Sequence, residues 1–189
     1  MRVLGIAGSL RADSHNARLL RAAAAELPPG WELEQWEGLR DVPAYDEDLD
    51  VDPAPEAVRA LREAIAGADA LLIATPEYNG SIPGALKNAI DWASRPRATS
   101  ALLGKPALVV GATTGLFGAV WAQAELRKVL RTAGARPLEE EVPVGQADSA
   151  FADGEDRLAG PELAALLRDA VDALVREVSA PVEDVARAA

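Results

Sequence analysis

Apolar positions along this chain switch repeatedly between the spacing of a strand and that of a helix. Residues 3–7 form a short apolar run ending at Gly8, the pattern of a buried strand. Ala17, Leu20, Ala24 and Leu27 follow at helical spacing until Pro28-Pro29-Gly30 interrupts them. Residues 31–36 alternate imperfectly and predict a weaker strand. Pro55 opens a helix with Val58, Leu61 and Ile65 on one face, which closes near Gly67. Residues 70–74 read as the next buried strand. Pro83 then suits a first helical position, with Ile82, Leu86 and Ile90 as the apolar stripe. A fourth strand is predicted at 107–110 and a helix at about 119–132, with Gly134 just past its C-terminal cap. Residues 138–144 predict an edge strand, because Pro137 and Pro143 lack the N–H that a central strand would donate. Leu163, Leu166, Leu167, Ala170, Val171, Leu174 and Val178 form the last and most regular amphipathic helix.

Five strands alternating with five helices predict a parallel sheet covered by helices on both faces, joined by right-handed crossovers. In such sheets a ligand lies beyond the carboxyl ends of the strands, where strand order reverses. The loops at that end are 8–16, 75–82 and 111–118. The first, Gly8-Ser9-Leu10-Arg11-Ala12-Asp13-Ser14-His15-Asn16, leaves a strand and enters a helix N-terminus, where free N–H groups and the helix dipole favour an anion. Ser9, Ser14 and Asn16 can donate hydrogen bonds, and Arg11 can grip a phosphate bidentately. Ser14 would serve equally as an ordinary helix cap. Neither G-x-G-x-x-G nor G-x-x-x-x-G-K-[ST] is present, which suits one phosphate better than ATP or a dinucleotide. In the second loop Asn79-Gly80 favours a hairpin turn. No second strand follows, so a turn leading into a helix is expected, with Tyr78 and its polar neighbours suited to stacking on a flat ring.

Composition narrows the chemistry. The 189 residues suit one domain, expected at 1–178, with a flexible tail at 179–189. The absence of cysteine excludes disulfides, zinc-thiolate sites and thiol catalysis. The net charge of −11 speaks against broad contact with nucleic acid or an anionic membrane, so an anionic ligand must be held by a few local donors. The N-terminus is too soon interrupted for a signal peptide, and no apolar run reaches the roughly 18 residues of a membrane span. The expected compartment is the cytoplasm. His15, the sole histidine, is expected to face solvent or touch phosphate rather than act as an acid or base. The acidic run 46–52 begins like an EF-hand loop but has Val51 at the sixth position and Ala57 at the twelfth. Ser81 lies in no nucleophile elbow.

Several of these segments together carry a family resemblance. Gly8-Ser9-Leu10-Arg11 with Ser14 and Asn16, Pro76-Glu77-Tyr78-Asn79-Gly80-Ser81, and Leu86-Lys87-Asn88-Ala89-Ile90-Asp91-Trp92 closely resemble the NADPH-dependent FMN reductase family. Val42-Pro43-Ala44-Tyr45-Asp46-Glu47-Asp48-Leu49 and Gly115-Leu116-Phe117-Gly118 with Gln123, Leu126 and Arg127 are similar to it too, so that the likeness spans about 2–145. The resemblance implies a flavodoxin-like three-layer α/β sandwich with strand order 2-1-3-4-5. It implies FMN as cofactor, NADPH or NADH as reductant, and a flavin, quinone or related small molecule as acceptor. It puts Ser9, Arg11, Ser14 and Asn16 on the phosphate. Pro76, Glu77, Tyr78, Asn79 and Gly80 would line the ribityl chain and ring, largely through backbone groups, with Thr113, Thr114 and Gly115 closing the other side. No catalytic side chain is implied, since hydride transfer is the flavin's own chemistry. Relatives of this kind are commonly dimers or tetramers, and Trp92, Phe117 and Trp121 are the expected aromatic surface of a homodimer or homotetramer. Arg95 and Arg97 are candidates for a 2′-phosphate. A non-enzymatic electron carrier remains the alternative, because an acidic surface can dock basic redox partners.

Overall fold

The computed structural model describes residues 1–180, so nearly all of the tail expected at 179–189 lies outside the described residues. The elements are β1 Arg2–Ala7, α1 His15–Ala24, β2 Glu32–Trp36, α2 Glu56–Ala66, β3 Ala70–Thr75 and α3 Gly84–Ala93, then β4 Pro106–Ala112, α4 Val120–Thr132, β5 Arg136–Pro137, β6 Pro143–Val144, α5 Ala147–Ala150 and α6 Pro161–Ser179. The strands pair in the order β2-β1-β3-β4-β5, every pairing parallel, with β6 also on β4. This is the flavodoxin-like order.

Alternation along the central strands divides the core between two faces. Leu4, Ile6, Leu71, Ile73, Ala107 and Val109 pack with α2, α3 and α4. Val3, Ala70, Leu72, Ala74, Leu108 and Val110 pack with α1 and α6. Because β3 and β4 are covered on both sides, every residue in them is buried and their sequence reads as one apolar run. Each fully buried leucine adds about 1.5–3 kcal/mol of hydrophobic stabilisation.

One expected element differs. Residues 138–144 are not a single edge strand: β5 and β6 are two-residue strands at opposite ends of the outer edge of β4. Between them Glu139 pairs with Arg131, and Glu141 with Arg127 at 3.1 Å. Leu138 N–H still donates to Ala107 O at 2.9 Å and Val142 O accepts from Gly111 N–H at 3.2 Å, so the pairing lapses only over the three glutamates between them. Among the described residues no helix is long and apolar enough to cross a membrane, and no group of acidic, histidine or cysteine side chains could hold a metal ion.

Candidate functional site

The three loops predicted from the sequence lie at the carboxyl edge of the sheet, on β1, β3 and β4, where the chain order turns back at β1. Loop 8–16 is pinned at its start, where the Gly8 N–H donates to Ala74 O at 2.8 Å. At its end Ser14 is the N-cap of α1 and accepts from the Ala17 N–H at 3.2 Å. The cap role suggested by the sequence is therefore real, and the hydroxyl keeps its own proton free to donate. The first-turn amides of His15 and Asn16 find no protein acceptor among the described residues. Arg11 is exposed, and nothing among the described residues pairs with its guanidinium. Ser9 is half-buried, and its Oγ accepts from the Arg11 N–H at 3.4 Å.

Asn16 has a different task from the one expected. It is buried, its Nδ2 donates to Ala112 O at 2.9 Å, and its Oδ1 accepts from the Ala112 N–H at 3.0 Å. The side chain thus satisfies both backbone groups at the end of β4 and ties loop 8–16 to the strand that feeds loop 111–118. It supports the cradle instead of projecting into it. His15 is partly exposed: its Nε2 lies 3.1 Å from Asp148 Oδ1, and its ring stacks on Phe151.

Loop 75–82 contains the turn that Asn79-Gly80 favours. Asn79 (φ 55°) and Gly80 (φ 76°) are both left-handed, and Tyr78 and Ser81 exchange backbone hydrogen bonds of 3.0 and 3.1 Å. The hairpin is one rung long and runs straight into α3, which reconciles the turn signal with the missing strand. Pro76 is buried beneath it, Tyr78 is half-exposed, and a Cβ built at Gly80 would touch nothing within 4 Å. Open space therefore stands above this turn.

Loop 111–118 is held by its neighbours. Thr113 N–H donates to Val144 O at 3.0 Å, and the Gln146 and Ala147 N–H groups donate to Gly115 O and Thr113 O at 2.8 and 3.0 Å. Thr114 and Gly115 are exposed at its crest. Gly118 (φ 59°) passes so close to Pro143 that a Cβ there would lie 2.2 Å from the Pro143 carbonyl carbon. Gln123, which sequence spacing marked only as part of a motif, is wholly buried. Its Nε2 donates to Gly118 O at 2.9 Å, and its Oε1 accepts from the Val142 N–H at 3.3 Å. Glu77 was expected to contribute backbone, but its carboxylate also accepts from the Ala122 N–H in the first turn of α4 at 3.1 Å. For Gln123 the family resemblance and its place as a polar residue on an otherwise apolar helix face were the signals in the sequence; none marked the partner of Glu77.

A fourth segment braces the edge. Asn88 donates from Nδ2 to Pro43 O at 2.7 Å and accepts from the Tyr45 N–H at 2.8 Å, while Trp92 Nε1 donates to the same Pro43 O at 2.9 Å. Trp92 is fully buried with Ala54 and Val58, and so is not part of any aromatic surface. Phe117 and Trp121 are: both are over half exposed, and their rings meet edge-on at 5.2 Å. Arg95 and Arg97 follow the far end of α3, about 15 Å along the helix from loop 75–82 at the usual rise per residue. There they line a cleft of about 270 Å³ between α3 and α4. A hydrogen bond with Tyr45 pushes the Arg95 pKa up, keeping it charged. Nothing among the described residues brings either arginine to the three loops.

Comparison with known proteins gives a consistent result. The family model described as NADPH-dependent FMN reductase matches residues 1–149. An NAD(P)H-dependent FMN reductase of Pseudomonas aeruginosa is 44% identical over 175 residues, covering 92% of this chain and 93% of that protein. A quinone reductase of Escherichia coli is 40% identical over 131 residues, 69% of each chain. Among solved structures, the flavoenzyme NAD(P)H:(acceptor) oxidoreductase FerB of Paracoccus denitrificans superposes with a TM-score of 0.82 at 37% identity, covering 94% of this chain and 96% of that one.

Proposed function

Because this chain belongs to the NADPH-dependent FMN reductase family, we propose that it binds FMN across loops 8–16, 75–82 and 111–118 and passes electrons from NAD(P)H to quinones or free flavins. FMN, when bound there, would supply the redox chemistry, hydride acceptance from a nicotinamide and electron delivery to an acceptor. The protein supplies the seat. Ser9, Arg11, Ser14 and the first-turn amides of α1 hold the phosphate, with Asn16 fixing the loop from behind. Arg11 carries this reading: in a chain of net charge −11, an arginine with no partner among the described residues, beside a helix whose His15 and Asn16 amides find no acceptor there, is suited to a phosphate dianion. The backbone of Pro76, Glu77, Tyr78, Asn79 and Gly80 lines one side of the ring, and Thr113, Thr114 and Gly115 the other. The open space beside Gly80 is room that a nicotinamide could enter.

The relatives compared are named as reductases, which favours an enzyme over an electron carrier. Their acceptor names favour quinones. The exposed Tyr78, Leu116, Phe117 and Trp121 at the same edge are an apolar surface of the kind that associating proteins cover. They support a homodimer or homotetramer in which a second copy helps to wall the acceptor pocket. Residues 1–178 act as one domain, and the cytoplasm is the compartment that fits a cysteine-free chain. Calorimetry tests the seat. FMN should bind more tightly than riboflavin, and FAD less tightly than FMN. Equal affinity for FMN and riboflavin would remove the phosphate loop from the account.

A further inference from the structure

Helix α4 begins without a cap of its own. Ala119 occupies the N-cap position with a left-handed backbone (φ 61°) and no side-chain oxygen. The missing acceptor comes from another part of the chain: Glu77 Oε2, 45 residues upstream, takes the Ala122 N–H at 3.1 Å. A second bond runs the other way, from the Ile82 N–H to Glu125 Oε2 at 3.4 Å. Loop 75–82 and α4 are therefore stitched on both sides of the turn that carries Asn79 and Gly80. One residue further along α4, Gln123 fixes Gly118 at the end of loop 111–118. The first turn of α4 is thus a common anchor for two of the three loops, and Glu77 joins it to the loop expected to line the ring.

We propose that Glu77 is a positioning residue for the flavin seat, acting through α4, and that its charge weakens the protein's grip on reduced relative to oxidised flavin. The first part follows from the stitch: without the carboxylate, loop 75–82 loses a tether to α4, and α4 loses its cap. The second follows from electrostatics. The N-terminus of a helix carries a positive partial charge equivalent to about half an elementary charge. A carboxylate bonded there cancels that field at the edge where electrons arrive, and adds a negative charge that opposes further electron density. The inference rests on the FMN reading of the site.

Glu77→Gln and Glu77→Ala separate these roles, because glutamine keeps an acceptor oxygen and loses only the charge. In the flavin-free protein, amide hydrogen exchange at Ala122 should speed up at least tenfold in Glu77→Ala and stay near wild type in Glu77→Gln. In the FMN complex, Glu77→Ala should weaken FMN and riboflavin by the same factor of about ten, since the ring seat and not the phosphate loop has loosened. Glu77→Gln should bind oxidised FMN within about twofold of wild type. Its midpoint potential should nevertheless move positive by about 30 mV, the equivalent of a tenfold preference for reduced flavin in a two-electron couple. Unchanged exchange at Ala122 in Glu77→Ala would overturn the positioning role, whether or not the protein binds FMN. An unmoved or more negative potential in Glu77→Gln would overturn the charge role. Failure of the wild type to bind FMN at all would instead overturn the functional reading, and the charge role with it.

Discussion

At the scale of single residues, loop 8–16 separates side chains that hold the fold from those without a partner among the described residues. Arg11 has none there, so Arg11→Ala should leave stability unchanged and weaken FMN by about 1.5–3 kcal/mol, the range for hydrogen bonds to a charged group. Titration calorimetry of FMN against riboflavin checks this, since riboflavin should not notice the change. Asn16 is the opposite case. Asn16→Ala would strand the Ala112 N–H and carbonyl in a buried place, at about 1–3 kcal/mol for each unsatisfied group. The loss should appear as a lower urea midpoint in the flavin-free protein. These two residues also mark how far sequence could reach. Donor types in a strand-to-helix loop were legible, because an anion site needs them there. What Asn16 actually bonds was not legible, because its partner lies 96 residues away and the choice depends on β4 arriving beside α1. The contact between His15 and Asp148 was not legible for the same reason, with 133 positions separating them.

At the scale of elements, periodicity located every major strand and helix, since burial on one or two faces leaves its mark along the chain. It missed the split of the expected edge strand into β5 and β6, which leaves the three glutamates 139–141 unpaired with β4. The turn at Asn79-Gly80 was legible, but the packing of loop 111–118 was not, because it is set by a close approach of Gly118 to the Pro143 backbone. Two glycines make that testable. Gly80→Ala meets open space, so its cost should be only the about 1–2 kcal/mol of a left-handed conformation for an L-residue. Gly118→Ala adds a collision with the Pro143 backbone to the same conformational cost, and should be clearly more destabilising. Chemical denaturation of the two variants should rank them in that order; equal losses would mean that loop 111–118 is not held against Pro143.

At the scale of the whole molecule, the strand order, the burial of β3 and β4 on both faces and the convergence of three loops produce one edge where chemistry can occur. The exposed aromatics at that edge predict association. Light scattering at micromolar concentration should give a dimer or tetramer mass, and Trp121→Glu should shift it toward the monomer; a wild-type monomer would contradict the shared-wall pocket. The central claim is that this chain is itself a reductase. Its most direct test is anaerobic mixing of the FMN-loaded protein with NADPH, and separately NADH, while flavin absorbance is followed. The account predicts rapid bleaching with no partner protein present, and repeated turnover once a quinone or free flavin is added. Flavin that stays oxidised under excess of both nicotinamides, yet exchanges electrons with a second protein, would contradict it.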